Sequence, residues 1–91
     1  MKRAKAIRWI KRHKPEKEFE VQFIKRTTGE LRLMKCRYGV TDYLQGGEPA
    51  YNFRQAGVIC VFDVDKTEYR MIPIEGLTHV KIRGKWVQVE D

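Results

Sequence analysis

Alternation of apolar and polar positions is the clearest signal in this chain. Along residues 18–26, Phe19, Val21 and Phe23 alternate with Glu20 and Gln22, the period of two expected of a half-buried β-strand. Thr27-Thr28-Gly29-Glu30 supplies a turn and residues 31–37 return, so the pair reads as a hairpin. The facing of its second strand is ambiguous, because Leu31 and Leu33 fall on one side and Met34 and Cys36 on the other. The unbroken apolar run Val58-Ile59-Cys60-Val61-Phe62 predicts a central strand. Residues 63–68 turn the chain, 69–74 and 77–82 form further strands, and Arg83-Gly84-Lys85 is a tight turn into 86–89. Five or six short antiparallel strands predict a mainly β fold, a small SH3-like or Sm-like barrel in which curling the sheet closes one core.

Ahead of the strands the period changes. On a helix, at about 100° per residue, Ala6, Ile7, Trp9 and Ile10 fall on one side of residues 4–12, and Lys5, Arg8, Lys11 and Arg12 on the other. Pro15 stops such a helix, because the residue before a proline is pushed out of the α region. A helix this short is marginal in isolation, so it either docks Trp9 and Ile10 on the domain or orders on a partner. In both cases the basic face points outward. The expected division is a basic amphipathic leader, residues 1–17, and a small β-barrel domain, residues 18–91.

Charge sharpens this division. Residues 1–17 hold eight Lys or Arg against Glu16 alone, which accounts for the whole net charge of +7, while residues 18–91 hold eleven side chains of each sign. A field concentrated in this way attracts a polyanion: a nucleic acid or an acidic protein surface. Two large aliphatics and one Trp make a thin apolar face for a membrane-surface helix, and no apolar run approaches the roughly 18 residues needed to span a bilayer, so no membrane role is expected. The basic start lacks the apolar core of a secretion signal, and a soluble cytoplasmic protein is expected. At 91 residues the chain builds one modest core.

Little in the sequence favours catalysis. The chain contains no serine, and Cys36 and Cys60 have no evident His partner at a turn. No CxxC pair is present and only His13 and His79 are further soft ligands, so neither a metal nor another cofactor is expected; both cysteines read as small buried apolar residues. Asp63-Val64-Asp65-Lys66-Thr67 starts like a calcium loop, but Glu68 stands where glycine is needed and Ile74 where the bidentate acid is needed. Asp63 and Asp65 are better read as turn formers. The expectation is a non-enzymatic binding protein.

The stretch YLQGGEPAYNFR, residues 43–54, connects the second strand to the third. Gly46-Gly47 is not a phosphate loop, since no GK[ST] follows. Tyr43, Tyr51, Phe53 and Arg54 interleave aromatic and basic side chains as single-stranded nucleic-acid binders do, where a stacked base contributes roughly 1 to 3 kcal/mol. At least one of these aromatics is expected to plug a barrel end instead.

The segments TTGELRLMKCRYGVTDYL, VICVFDVDKTEYRMIPIEGL and THVKIRGKWV, in that order, resemble the second WYL-type family of small phage and bacterial proteins, described as Sm-like SH3 β-barrels. The resemblance covers about residues 25–87 and leaves the basic leader outside. It implies a regulator that binds nucleic acid or a nucleotide-like ligand, in the bacterial host cytoplasm if phage-encoded. It also implies that Arg37 and the Tyr69-Arg70 pair lie on or near a ligand face. Their chemistry suits this independently, since Arg pairs bidentately with phosphate and Tyr offers a base a flat surface. The alternative is that Arg37 caps a strand end and Tyr69 covers the core. The expected nucleic-acid-binding residues are therefore Lys5, Arg8, Lys11, Arg12, Arg37, Tyr43, Tyr51, Arg54, Tyr69 and Arg70. A second expectation is a phage-type protein whose leader docks on a host polymerase, nuclease or defence factor. Oligomers through exposed edge strands are compatible with either.

Overall fold

The computed structural model describes residues 1–40 and 57–91. A helix, α1 (Arg3–Lys11), precedes six strands: β1 (Glu18–Ile24), β2 (Leu31–Arg37), β3 (Val58–Asp63), β4 (Glu68–Pro73), β5 (Leu77–Ile82) and β6 (Lys85–Gln88). They form one antiparallel sheet in the order β4-β3-β2-β1-β5-β6. The run Val58 to Phe62 was expected at the centre, but β3 lies second from an edge, and β2 and β1 occupy the middle. It is apolar throughout because both of its faces are covered: Val61 and Ile59 face the core, while Phe62, on the other side, packs edge-on against Tyr69 with ring centroids 5.3 Å apart.

Register settles the ambiguous facing of β2. Phe19 pairs with Cys36, Val21 with Met34 and Phe23 with Arg32, and paired residues share a face. The inward set of β1 therefore turns Cys36, Met34 and Arg32 inward. Leu31 and Leu33 are left outward, 59% and 57% exposed.

The sheet is strongly curled. β4 and β5 stand four strand spacings apart in the sheet order, about 19 Å if it were flat. The four Cα steps from Pro73 to Leu77 span at most about 14 Å. Curling brings the crossing against β1, where the Ile24 N–H donates to the Gly76 carbonyl at 2.8 Å. Contact is so close that a Cβ on Gly76 would lie 2.7 Å from the Ile24 oxygen. A register shift between Gln22 and Phe23 in the β1–β5 ladder adds local bend. Among the described residues no ladder joins β4 to β5, so the sheet is curled rather than closed. The β5–β6 turn is a two-residue connection, with Arg83 and Gly84 both at positive φ as a type I′ turn requires.

The N-terminal helix completes the core. Ala6 and Ile10 are both 0% exposed and join Phe19, Val21, Leu77, Val80 and Val89 in one cluster, with Ile7 and Trp9 partly buried beside them. Extended backbone precedes the helix: the Arg3 N–H donates to the Glu90 carbonyl and the Glu90 N–H to the Met1 carbonyl, each at 2.8 Å. The Arg3 guanidinium donates through Nη1 to the carbonyls of Ile74 and Leu77. At the other end the helix has Arg8 and Lys11 in its last turn, where cations complement the dipole. His13 Nδ1 sits 2.9 Å from the Trp9 carbonyl, so Nδ1 carries the hydrogen and donates. The residues of the expected leader are thus woven into the domain rather than appended to it. No helix among the described residues is long and apolar enough to cross a membrane.

Candidate nucleic-acid interface

Because Ala6 and Ile10 are fixed in the core, the opposite face of α1 is fixed outward. Lys5, Arg8, Lys11 and Arg12 are all exposed there. The first turn contains no acidic residue, and among the described residues none of the four forms an ion pair. Arg3, by contrast, is engaged by the Asp91 carboxylate at 2.6 Å.

Arg37 and Tyr69 lie in one row across the outer face of the sheet. Arg37 pairs with Phe62 and Phe62 with Tyr69, which places the outer two about 10 Å apart. Both have structural tasks: Arg37 Nε donates to the Pro15 carbonyl at 2.6 Å, and the Tyr69 hydroxyl donates to the Val40 carbonyl at 2.8 Å. Through Arg37, the basic segment that follows α1 is tied beside this row.

Arg70 does not share that face. Neighbouring residues of a strand point to opposite sides, so the expected Tyr69-Arg70 pair is split. Arg70 pairs with Val61 and faces inward with Ile72, at the mouth where β2 and β3 diverge. There it lines a cavity of about 360 Å³ with Lys25, Arg26 and Arg32, above a floor that includes Phe23, Met34 and Val58. Tyr43, Tyr51 and Arg54 lie outside the described residues.

Arg32 and Asp63 were not singled out together by sequence. Arg32 Nη2 meets Asp63 Oδ2 at 3.1 Å, and Asp63 is 1% exposed. Asp63 Oδ1 accepts the N–H groups of Asp65 and Lys66, so this carboxylate does form a turn, as expected, and also holds an arginine at the cavity. The available signal was Arg32 itself, a charge on the inward-facing set of β2.

Both cysteines are free thiols. Burial pushes the Cys36 thiol far above its ordinary value, with the neighbouring Asp63 carboxylate adding to the effect, and burial also raises Cys60. The folded state thus keeps the Cys36 proton where the unfolded chain loses it, above an ordinary thiol value of 9.0, so stability falls as pH rises past that point. The limiting slope is about 1.4 kcal/mol per pH unit. Urea unfolding at pH 8 and at pH 10 should show a larger loss in the wild-type chain than in Cys36→Ala, by up to about 1.4 kcal/mol. Among the described residues no group of three His, Cys, Asp or Glu side chains is placed to hold a metal ion.

No protein-family model matches the chain, and neither the curated proteins nor the solved structures contain a match.

Proposed function

We propose that the protein is a non-enzymatic nucleic-acid-binding module, favouring single strands, built on an Sm-like SH3 barrel of the second WYL-type family and serving as a phage or bacterial regulator in the cytoplasm. The observation that carries this reading is the docked basic face of α1: four exposed cations without ion pairs among the described residues, on a helix anchored by Ala6 and Ile10. A preordered row of cations loses less conformational entropy on meeting a phosphate backbone than a flexible tail does. Arg37, tied to the Pro15 carbonyl in the segment after α1, would add a guanidinium, and Tyr69 in the same row of the sheet an aromatic ring. The curl forced by the short β4–β5 crossing supports the barrel assignment.

Replacing Lys5, Arg8, Lys11 and Arg12 together by Gln tests this. On single strands each neutralised phosphate contributes about −0.7 to the slope of log affinity against log salt, so the variant should flatten that slope by about 3. At about 50 mM salt the wild type should bind far more tightly than the variant, with the gap closing about 50-fold by 200 mM. An unchanged slope would remove α1 from the interface and the main support for the proposal.

A second reading, binding and modulation of a host protein, is favoured by one observation. Ile24, Leu31 and Leu33 form an exposed apolar group on the outer face of the β1–β2 hairpin, where Ile24 and Leu31 are directly paired. On this reading Leu33→Glu would abolish stoichiometric capture of one acidic partner and leave oligonucleotide binding untouched.

A further inference from the structure

The cavity at the mouth of the curled sheet differs in kind from the helix face. It is a half-open pocket whose lining includes three buried apolar side chains, Phe23, Met34 and Val58. Its walls bring Lys25 and Arg26 from the end of the first hairpin against Arg32 of β2 and Arg70 of β4. At about 360 Å³ it falls in the range of small-ligand pockets, roughly 300 to 1,000 Å³.

Two of its arginines, Arg32 and Arg70, are only partly satisfied. Arg32 gives Nη2 to Asp63, and Arg70 gives Nη2 to Glu68. The Nε of each is buried and has no hydrogen-bond partner among the described residues. A guanidinium carries five N–H donors, and one carboxylate contact leaves most of them unspent. A buried, unpartnered N–H also leaves the positive charge poorly solvated, which an anion at the open edge of the guanidinium would relieve. Lys25 adds an ammonium with no ion pair among the described residues. Asp63 is occupied on both oxygens, so it anchors Arg32 rather than competing for the ligand.

The lining sets four cations, Lys25, Arg26, Arg32 and Arg70, beside apolar side chains, an arrangement that suits one phosphate next to one base. We infer that this cavity binds a nucleotide phosphomonoester, with the phosphate on Arg70, Arg32 and Lys25 and the base over Met34, Val58, Met71 and Pro73. A terminal phosphate carries close to two charges at neutral pH, against one for an internal diester, which suits a cluster of this density. The choice of a nucleotide among phosphomonoesters rests on the nucleic-acid reading above. The ligand has two sources, the phosphorylated end of a strand and a free mononucleotide, and they are separable.

Fluorescence anisotropy with the full chain would compare one single-stranded sequence bearing a 5′-phosphate, a 3′-phosphate or hydroxyls at both ends, and calorimetry would test nucleoside 5′-monophosphate against nucleoside and ribose 5-phosphate. A terminal phosphate should improve strand affinity about tenfold, as charge-assisted bidentate contacts do. In Arg70→Gln, and in Lys25→Gln as a second variant at a more peripheral position, that ratio should fall towards one while the thermal melt confirms folding. The four-Gln variant of α1 should lower all strand affinities and preserve the ratio. Binding of the free monophosphate, lost in Arg70→Gln, with no strand binding would assign the cavity to a free nucleotide and sink the nucleic-acid reading alone. Equal affinity for phosphorylated and hydroxyl ends, with no binding of the monophosphate, would overturn the inference and leave the helix-face proposal standing. Ribose 5-phosphate binding as well as the nucleotide would overturn the nucleotide assignment.

Discussion

A chain shortened to residues 18–91 should fail to fold cooperatively. It would lose Ala6 and Ile10 from the core cluster and leave the buried side chains of that cluster, Val89 among them, less covered. A fully buried Ile contributes about 1.5 to 3 kcal/mol. The three main-chain hydrogen bonds that tie Met1 and Arg3 to Gln88 and Glu90 each add about 1 kcal/mol. Together these approach the 5 to 15 kcal/mol of a typical small domain. Urea unfolding followed by Trp86 fluorescence would show a broad or absent transition in place of a sigmoid. A sharp transition with an undiminished slope would mean that the helix is dispensable. One consequence is practical: deletion cannot separate binding from folding here, whereas charge substitution on the outer helix face can.

The second large effect concerns Arg32. In Arg32→Met the Asp63 carboxylate, 1% exposed, would lose its cation and remain buried. Removing one partner of a buried pair costs about 3 to 5 kcal/mol, and the lower end applies because Arg32 is partly open to solvent. Its two backbone N–H contacts would remain, so adding Asp63→Asn should return much of the lost stability by removing the orphaned charge while keeping the turn. Chemical denaturation of the single and double variants would read both values. An unperturbed single variant would mean that the pair contributes little and that Arg32 is held by the cavity alone.

These expectations show where the sequence was informative. The first strand was legible because its buried face repeats every second residue, in Phe19, Val21 and Phe23, and β2 and β5 have the bounds read from pattern and turn residues. The helix was legible for the complementary reason, a 3.6-residue period in Ala6 and Ile10 with cations opposite. Strand order was not. A continuous apolar run reports that both faces are covered, which β3 achieves near an edge through Tyr69 and Phe62 without being central. For the candidate site, the helix cations follow directly from amphipathicity. The mouth cavity does not, because Lys25, Arg26, Arg32 and Arg70 come from three parts of the chain and meet only once the sheet curls. The family resemblance likewise pairs Tyr69 with Arg70 on one ligand face, while the pleat sends them to opposite faces.

The most direct test of nucleic-acid binding is an NMR titration of the isotope-labelled full chain with a short mixed-sequence single strand at low and at physiological salt. Shifts should concentrate at Lys5, Arg8, Lys11, Arg12 and Arg37, with Lys25 and Arg70 following when the strand carries a terminal phosphate, and should weaken as salt rises. Shifts absent at low salt, or confined to Ile24, Leu31 and Leu33 and seen only with an added protein partner, would contradict nucleic-acid binding.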